Sequence, residues 1–233
     1  MVDAHTHKSS SASRHFICEP FYGPVGENDV KFYGHHPWDF LENLPPENWL
    51  ENLRERLIQD PSAGVGEIGL DRLKEKNIPS IMEEAFLSQL SLAAELNRPV
   101  VLHGAKCWGR VVSTVKSVLE KSGSIGKRQS IPAFLFHGFS RSDGLIPEII
   151  SLNGFISVSS AILNDHAINY RKMVSEIPLD ILLIETDYTG EGDCPSLESI
   201  ASMLAKLRSL SVTDLEHILD KNAHRFISSL PTP

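Results

Sequence analysis

The sequence predicts an α/β barrel of parallel strands, and three observations predict it. Short apolar, β-branched runs alternate with segments of helical periodicity from the second residue almost to the end of the chain. Histidine, glutamate and aspartate residues end or directly follow several of these runs, where a merely structural strand would carry an aliphatic residue. No glycine-rich phosphate loop follows the first run, as it more often does in an open doubly wound sheet. With 233 residues, 41% hydrophobic and 22% charged, the chain suits one globular domain, residues 1–233. That length lies near the lower end of the TIM-type (β/α) barrel, which runs about 250 residues.

In chain order the candidate strands are Val2 to His5, His15 to Cys18, Lys31 to Gly34, Ala63 to Glu67, Pro99 to His103, Ala133 to His137, Gly154 to Ser157 and Asp180 to Glu185. Between the third and fourth strands, Pro46 to Gln59 places Trp49, Leu50, Leu53 and Leu57 on one helical face, with Pro46 suited to the first turn. Ser80 with Glu83 reads as a capping box opening a helix that Asn97 and Pro99 stop. Further helices are expected over Val111 to Lys121 and Ser196 to Leu210. A last one, over Thr213 to Ser228, opens on a Thr213/Glu216 box and closes the base of the barrel. The chain between the second and third strands is too short for a full helix, so the barrel is expected to be truncated there.

Net charge is −8, which argues against a broad basic surface gripping nucleic acid and leaves any such contact local. Three widely spaced cysteines, Cys18, Cys107 and Cys194, form neither a CxxC pair nor a disulfide framework. No run is long and apolar enough to span a bilayer, and MVDAHTH does not read as a signal peptide. We expect a cytoplasmic protein without membrane contact, and nothing marks an obligate protein partner.

Asp3, His5 and His7 form a D-x-H-x-H run in the first strand, and strand alternation predicts all three on one face, the barrel interior. The two imidazoles can converge on one borderline cation such as zinc or manganese. Asp3 is then expected to accept the other ring proton of a histidine or to be a weak ligand. A His-x-His run alone is as often a surface strand end. Glu67, His103, His137 and Asp187 change that balance, because barrel topology gathers strand C-termini at one mouth. Four histidines with a glutamate and an aspartate exceed the needs of one tetrahedral ion, so two divalent ions sharing Glu67 are expected, a pair that activates water without a protein nucleophile.

These residues lie in blocks that resemble the TatD-like metal-dependent hydrolases of the amidohydrolase superfamily, from Val2 to about Phe226. MVDAHTH is similar to that family's D-x-H-x-H opening, YGHHPW to its G-x-H-P block, VGEIGLD to its G-E-I-G-L-D block, RPVVLHG to its P-V-x-x-H strand, FHGFS to its H-C-F-S block, IPLDILLIETD to its E-T-D, and NAHRF to its N-x-x-x-F signature. The resemblance implies His5, His7 and Asp187 on one metal, His103 and His137 on the other, and Glu67 as bridge. It further implies phosphodiester hydrolysis, often from a DNA end, with magnesium, manganese or zinc. Asp187 would take the proton from the attacking water, and His36 and Arg171 would contact substrate phosphate.

Trp38 stands where that family has the second histidine of H-P-H, Gly138 replaces a cysteine, and Arg72 replaces an aromatic. These positions bear on the substrate more than on the metals. Lys106 and Trp108 could suit a phosphate and a base, but capping and packing of the next helix is the reading preferred; Cys107 has no basic partner at suitable spacing and reads as non-catalytic. Two alternatives stay open: a related barrel acting on another ester, an amide or a phosphomonoester, and a silent metal-binding scaffold.

Overall fold

The computed structural model describes residues 1–41, 44–121 and 131–231. Eight strands form one sheet in sequential order, and every neighbouring pair is parallel. They are β1 (Val2–Thr6), β2 (Arg14–Cys18), β3 (Val30–Tyr33), β4 (Gly64–Asp71), β5 (Val100–Ala105), β6 (Phe134–Phe136), β7 (Gly154–Val158) and β8 (Leu182–Ile184). The seam between β8 and β1 is stitched just beyond β8, where Asp187 N donates to His5 O at 3.0 Å and His7 N to Tyr188 O at 3.0 Å.

Helices α1 (Trp49–Gln59), α2 (Ser80–Leu96), α3 (Trp108–Lys121), α4 (Ile146–Ser151), α5 (Ile168–Glu176), α6 (Leu197–Arg208) and α7 (Val212–Phe226) follow the later strands. No helix lies between β2 and β3, as the short connection dictates. No helix among the described residues is long and apolar enough to cross a membrane.

All eight expected strands form, and the main departures concern β4 and the helix starts. β4 runs on through the whole GEIGLD segment, so Glu67 lies inside a strand rather than at its end. α2 is capped by Pro79 without a side-chain bond, which leaves Ser80 one position too late to act as a cap. In α7 the cap is Ser211, whose hydroxyl accepts from Asp214 N, because a second box precedes the Thr213/Glu216 pair. α3 starts at Trp108, earlier than expected, since Trp108 is buried against Phe136 and Phe139. α4 and α5 have no clear apolar stripe in the sequence and were not anticipated.

Two layers fill the barrel interior. Phe226, at the end of α7, plugs the base against Phe16, Phe32 and Phe155, with centroid separations of 5.5, 5.9 and 5.8 Å. Val101, Leu135, Phe155 and Leu183 join this cluster. Strand alternation then turns the residue two positions further along each strand inward as well, one layer above. Those residues are His103, His137, Ser157 and Glu185. The polar site is therefore seated on an apolar floor by periodicity alone.

Close approach of β4 and β5 depends on Gly69, where an added Cβ would collide with the His103 carbonyl oxygen. Gly69→Ala is expected to destabilise the fold by about 1–3 kcal/mol, read as a lower urea midpoint. An unchanged midpoint would show that the two strands can spread at no cost.

Candidate metal centre

Glu67 is the hub of the site. Its side chain is 3% exposed, and its Oε1 lies 2.5 Å from His103 Nδ1, 2.6 Å from His137 Nε2 and 3.7 Å from His36 Nε2. Its Oε2 lies 3.2 Å from His7 Nε2 and 3.4 Å from His5 Nε2. Asp187 Oδ1 is 3.3 Å from His5 Nε2. Among the described residues, three trios of ligand-type groups are close enough to hold a cation: His5, His7 and Asp187; His5, Glu67 and His137; His36, Glu67 and His103. All six residues expected as ligands thus come together, and His36, expected to contact substrate, lies beside them.

Burial alone would raise the Glu67 carboxyl, but the imidazoles of His137, His103, His5 and His36 hold it well below the usual range. Conversely, burial opposes protonation of His137, and Glu67 outweighs it, raising that ring to about 10. His36 goes the other way, pushed down to about 4 chiefly by burial. It is a neutral imidazole at neutral pH, suited to hydrogen bonding rather than to charge pairing.

The outward-facing nitrogens of His103 and His7 are held too, which fixes the orientation of those two rings. His103 Nε2 lies 3.1 Å from Asp71 Oδ2, and His7 Nδ1 lies 3.1 Å from the Cys18 carbonyl. His137 Nδ1 faces Glu185 Oε1 at 3.7 Å, while Glu185 also accepts from Gly138 N at 2.7 Å and from the Ser157 hydroxyl. The segment carrying His36 is clamped by buried Gln89 of α2, which accepts from His35 N at 2.7 Å and donates to His35 O at 3.1 Å. Asp71, Glu185 and Gln89 were missed from sequence; Asp71 and Glu185 sat inside quoted motifs, while Gln89 gave no signal beyond being polar within an apolar stripe.

Asp3 departs from expectation. A register irregularity between Asp3 and Thr6 interrupts the alternation of β1, and the Asp3 carboxylate accepts from Thr186 N at 2.9 Å, Thr186 Oγ1 at 2.7 Å and Ser10 Oγ at 2.9 Å. It therefore orients no ring of the cluster. Instead it anchors Thr186, the residue between Glu185 and Asp187. Burial pushes its carboxyl up to about 6 against these donors.

Arg171 spends its guanidinium on the Ile162 carbonyl at 2.8 Å and on Asp165 at 3.4 Å. Trp108 is buried in the core, in keeping with packing rather than substrate contact, while Lys106 is exposed. Burial pushes the Cys107 thiol up to about 11, so it stays protonated and is no nucleophile.

These residues fit divalent cations. His5 is fully buried, yet neither of its ring nitrogens has a hydrogen-bond partner, a costly state unless something else occupies the nitrogen. Its Nε2 is aimed between two carboxylates, and imidazole with carboxylate is the donor set of zinc, manganese and related ions.

A parallel barrel with such a cluster at its strand ends defines a metal-dependent hydrolase class of site. The model of the TatD related DNase family matches residues 26–228, and the chain belongs to that family, as a TatD-family metal-dependent hydrolase. YabD of Bacillus subtilis, described as an uncharacterized metal-dependent hydrolase, is 28% identical over 201 residues, covering 82% of this chain and 74% of that protein. The 3'-5' ssDNA/RNA exonuclease TatD of Klebsiella pneumoniae is 33% identical over 133 residues, 56% of this chain and 47% of that one. The crystal structure of YJJV, a TatD homolog from Escherichia coli, has a TM-score of 0.80 at 21% identity, with 100% of this chain and 98% of that chain covered. At that identity the likeness concerns the fold.

Asp71→Ala should free His103 Nε2 and weaken metal binding by about 10- to 100-fold, measured by chelator competition while circular dichroism stays native. Unchanged affinity would confine Asp71 to its bonds with Leu73 N, Lys74 N and Trp38 Nε1.

Proposed function

We propose that this chain cleaves phosphodiester bonds of DNA, working from an unpaired end, with two divalent ions of magnesium, manganese or zinc held across Glu67. The division of labour at that carboxylate carries the reading: Oε2 faces His5 and His7, while Oε1 faces His103 and His137. His5, His7 and Asp187 would hold one ion, His103 and His137 the other. When bound, such ions supply Lewis acidity toward a phosphoryl oxygen and toward water.

The protein's own groups do the rest. Asp187 is the proton acceptor we assign, because its side chain is 48% exposed at the rim whereas Glu67 is closed off at 3%. Burial raises its carboxyl, but His5 holds it below the usual value, so it is ionised and ready to accept. His36, neutral and close to the cluster, donates to a substrate phosphate oxygen. Arg171 could reach a phosphate only by giving up its bonds to Ile162 and Asp165, so the phosphate contact rests on His36 first.

DNA is favoured among phosphoesters by the family's description and by the exonuclease relatives, which act on single-stranded DNA and RNA by name. The overall charge of −8 confines contact to this mouth. Cys18 and Cys107 are buried and Cys194 is exposed, all free, which suits a reducing, cytoplasmic setting.

Elemental analysis should find about two divalent ions per chain, and the loaded protein should shorten end-labelled single-stranded DNA in a metal-dependent way. Glu67→Ala should lose both ions and at least 100-fold in activity, roughly the loss of one preorganised charge-stabilising group. His36→Ala should keep the ions and raise KM; loss of metal in that variant would make His36 a ligand instead. A loaded protein that leaves DNA intact but cleaves small amides or lactones would overturn the choice of bond.

A further inference from the structure

Two exposed aromatic rings each lie one histidine away from Glu67, Tyr22 by way of Oε2 and Trp38 by way of Oε1. Tyr22, 53% exposed, meets His7 edge-on at 6.2 Å, and its backbone N–H is held by His7 O at 3.0 Å. His7 in turn faces Glu67 Oε2. Trp38, 48% exposed, meets His36 edge-on at 4.9 Å, and His36 faces Glu67 Oε1. The path from ring to imidazole to carboxylate oxygen is the same on both flanks.

Trp38 is held rigidly for a half-exposed indole. Its Nε1 donates to buried Asp71 at 2.8 Å, the same carboxylate that holds His103, and its backbone N–H donates to His36 Nδ1 at 3.3 Å. Each flank also carries an ammonium group. Lys74 Nζ sits 5.0 Å from the Trp38 ring centre, and Lys8, next to His7, sits 5.9 Å from the ring of Tyr188. On a chain of net charge −8, Lys74 beside the exposed indole and Lys8 beside the part-buried Tyr188 are a local arrangement suited to a backbone anion.

We propose that Trp38 and Tyr22 are base-stacking platforms that bracket the scissile phosphate, so that the site takes an unpaired nucleic-acid strand with one base on each flank. Bases in a duplex already stack on each other and present no free face to a side chain, whereas an unpaired base offers its face to any ring. Lys74 over the Trp38 ring, and Lys8 adjoining the His7 that meets Tyr22, place a cation near each ring for the adjoining phosphate. Trp38 thereby becomes a determinant of what is cleaved, at a position where the sequence carries an indole in place of the resembled family's histidine.

This inference rests on the phosphodiesterase reading, and the test separates the two. Binding is measured by anisotropy on the protein in excess EDTA, with a labelled short oligothymidylate and with an abasic deoxyribose-phosphate oligomer of equal length. The wild type should prefer the oligothymidylate, and its tryptophan fluorescence should be quenched on binding. Trp38→Ala and Tyr22→Ala should each weaken oligothymidylate binding by about 5- to 100-fold, the scale of one lost base stack, and leave abasic binding unchanged. Trp38→Phe keeps a ring but loses the bond to Asp71; it should keep most of the affinity and lose most of the quenching. Equal binding of both oligomers by the wild type, or alanine variants that bind both as before, would overturn the stacking role even if the loaded enzyme cleaves DNA. Base-dependent binding without cleavage of any phosphodiester would instead retain the stacking site and overturn the phosphodiesterase reading.

Discussion

A carboxylate buried in the middle of a strand and surrounded by imidazoles is the constraint on which the rest of the structure depends. Glu67 is removed from water, so its charge must be compensated from within, and five histidine rings converge on its two oxygens. Without a cation the compensation is protonic, each ring competing for charge with its neighbours. Bound cations would take up the same lone pairs and would give the fully buried His5, which lacks hydrogen-bond partners, an occupant. The site is thus a preformed cage whose internal repulsions are relieved by what it binds.

The surrounding fold serves to keep that cage from relaxing. An apolar floor under Phe226 fixes the height of the interior residues, and β4 approaches β5 closely enough that position 69 admits only glycine. Asp71 and the Cys18 carbonyl hold the His103 and His7 rings from behind by hydrogen bonds, and the Glu185 carboxylate faces His137. The barrel also closes through the site itself: the backbone bond from Asp187 to His5 joins the last strand's extension to the first strand. The contact that closes the barrel thus also brings Asp187 to His5 and His7, one candidate ligand trio.

Much of this was legible in the sequence, and the parts that were not share a physical cause. The ligand-type residues could be read because β-strand period and barrel topology, both local or generic rules, suffice to gather strand ends at one mouth. Asp3 was misjudged because an irregularity in β1 breaks the period on which the reading relied. The role of Asp71 depends on which way a side chain turns after β4 has run past its expected end, which no pattern encodes. Helix caps slipped by one or two residues where overlapping boxes compete, as at Ser211 and Thr213. Gln89 clamps the His35 backbone from a distant helix, a purely tertiary contact.

The central claim is that Glu67 bridges two cations, and anomalous scattering from crystals grown with manganese tests it most directly. The account predicts two peaks, each about 2–2.5 Å from a Glu67 oxygen, one beside His5, His7 and Asp187 and the other beside His103 and His137. A single peak, or peaks that leave Glu67 uncoordinated, would contradict it.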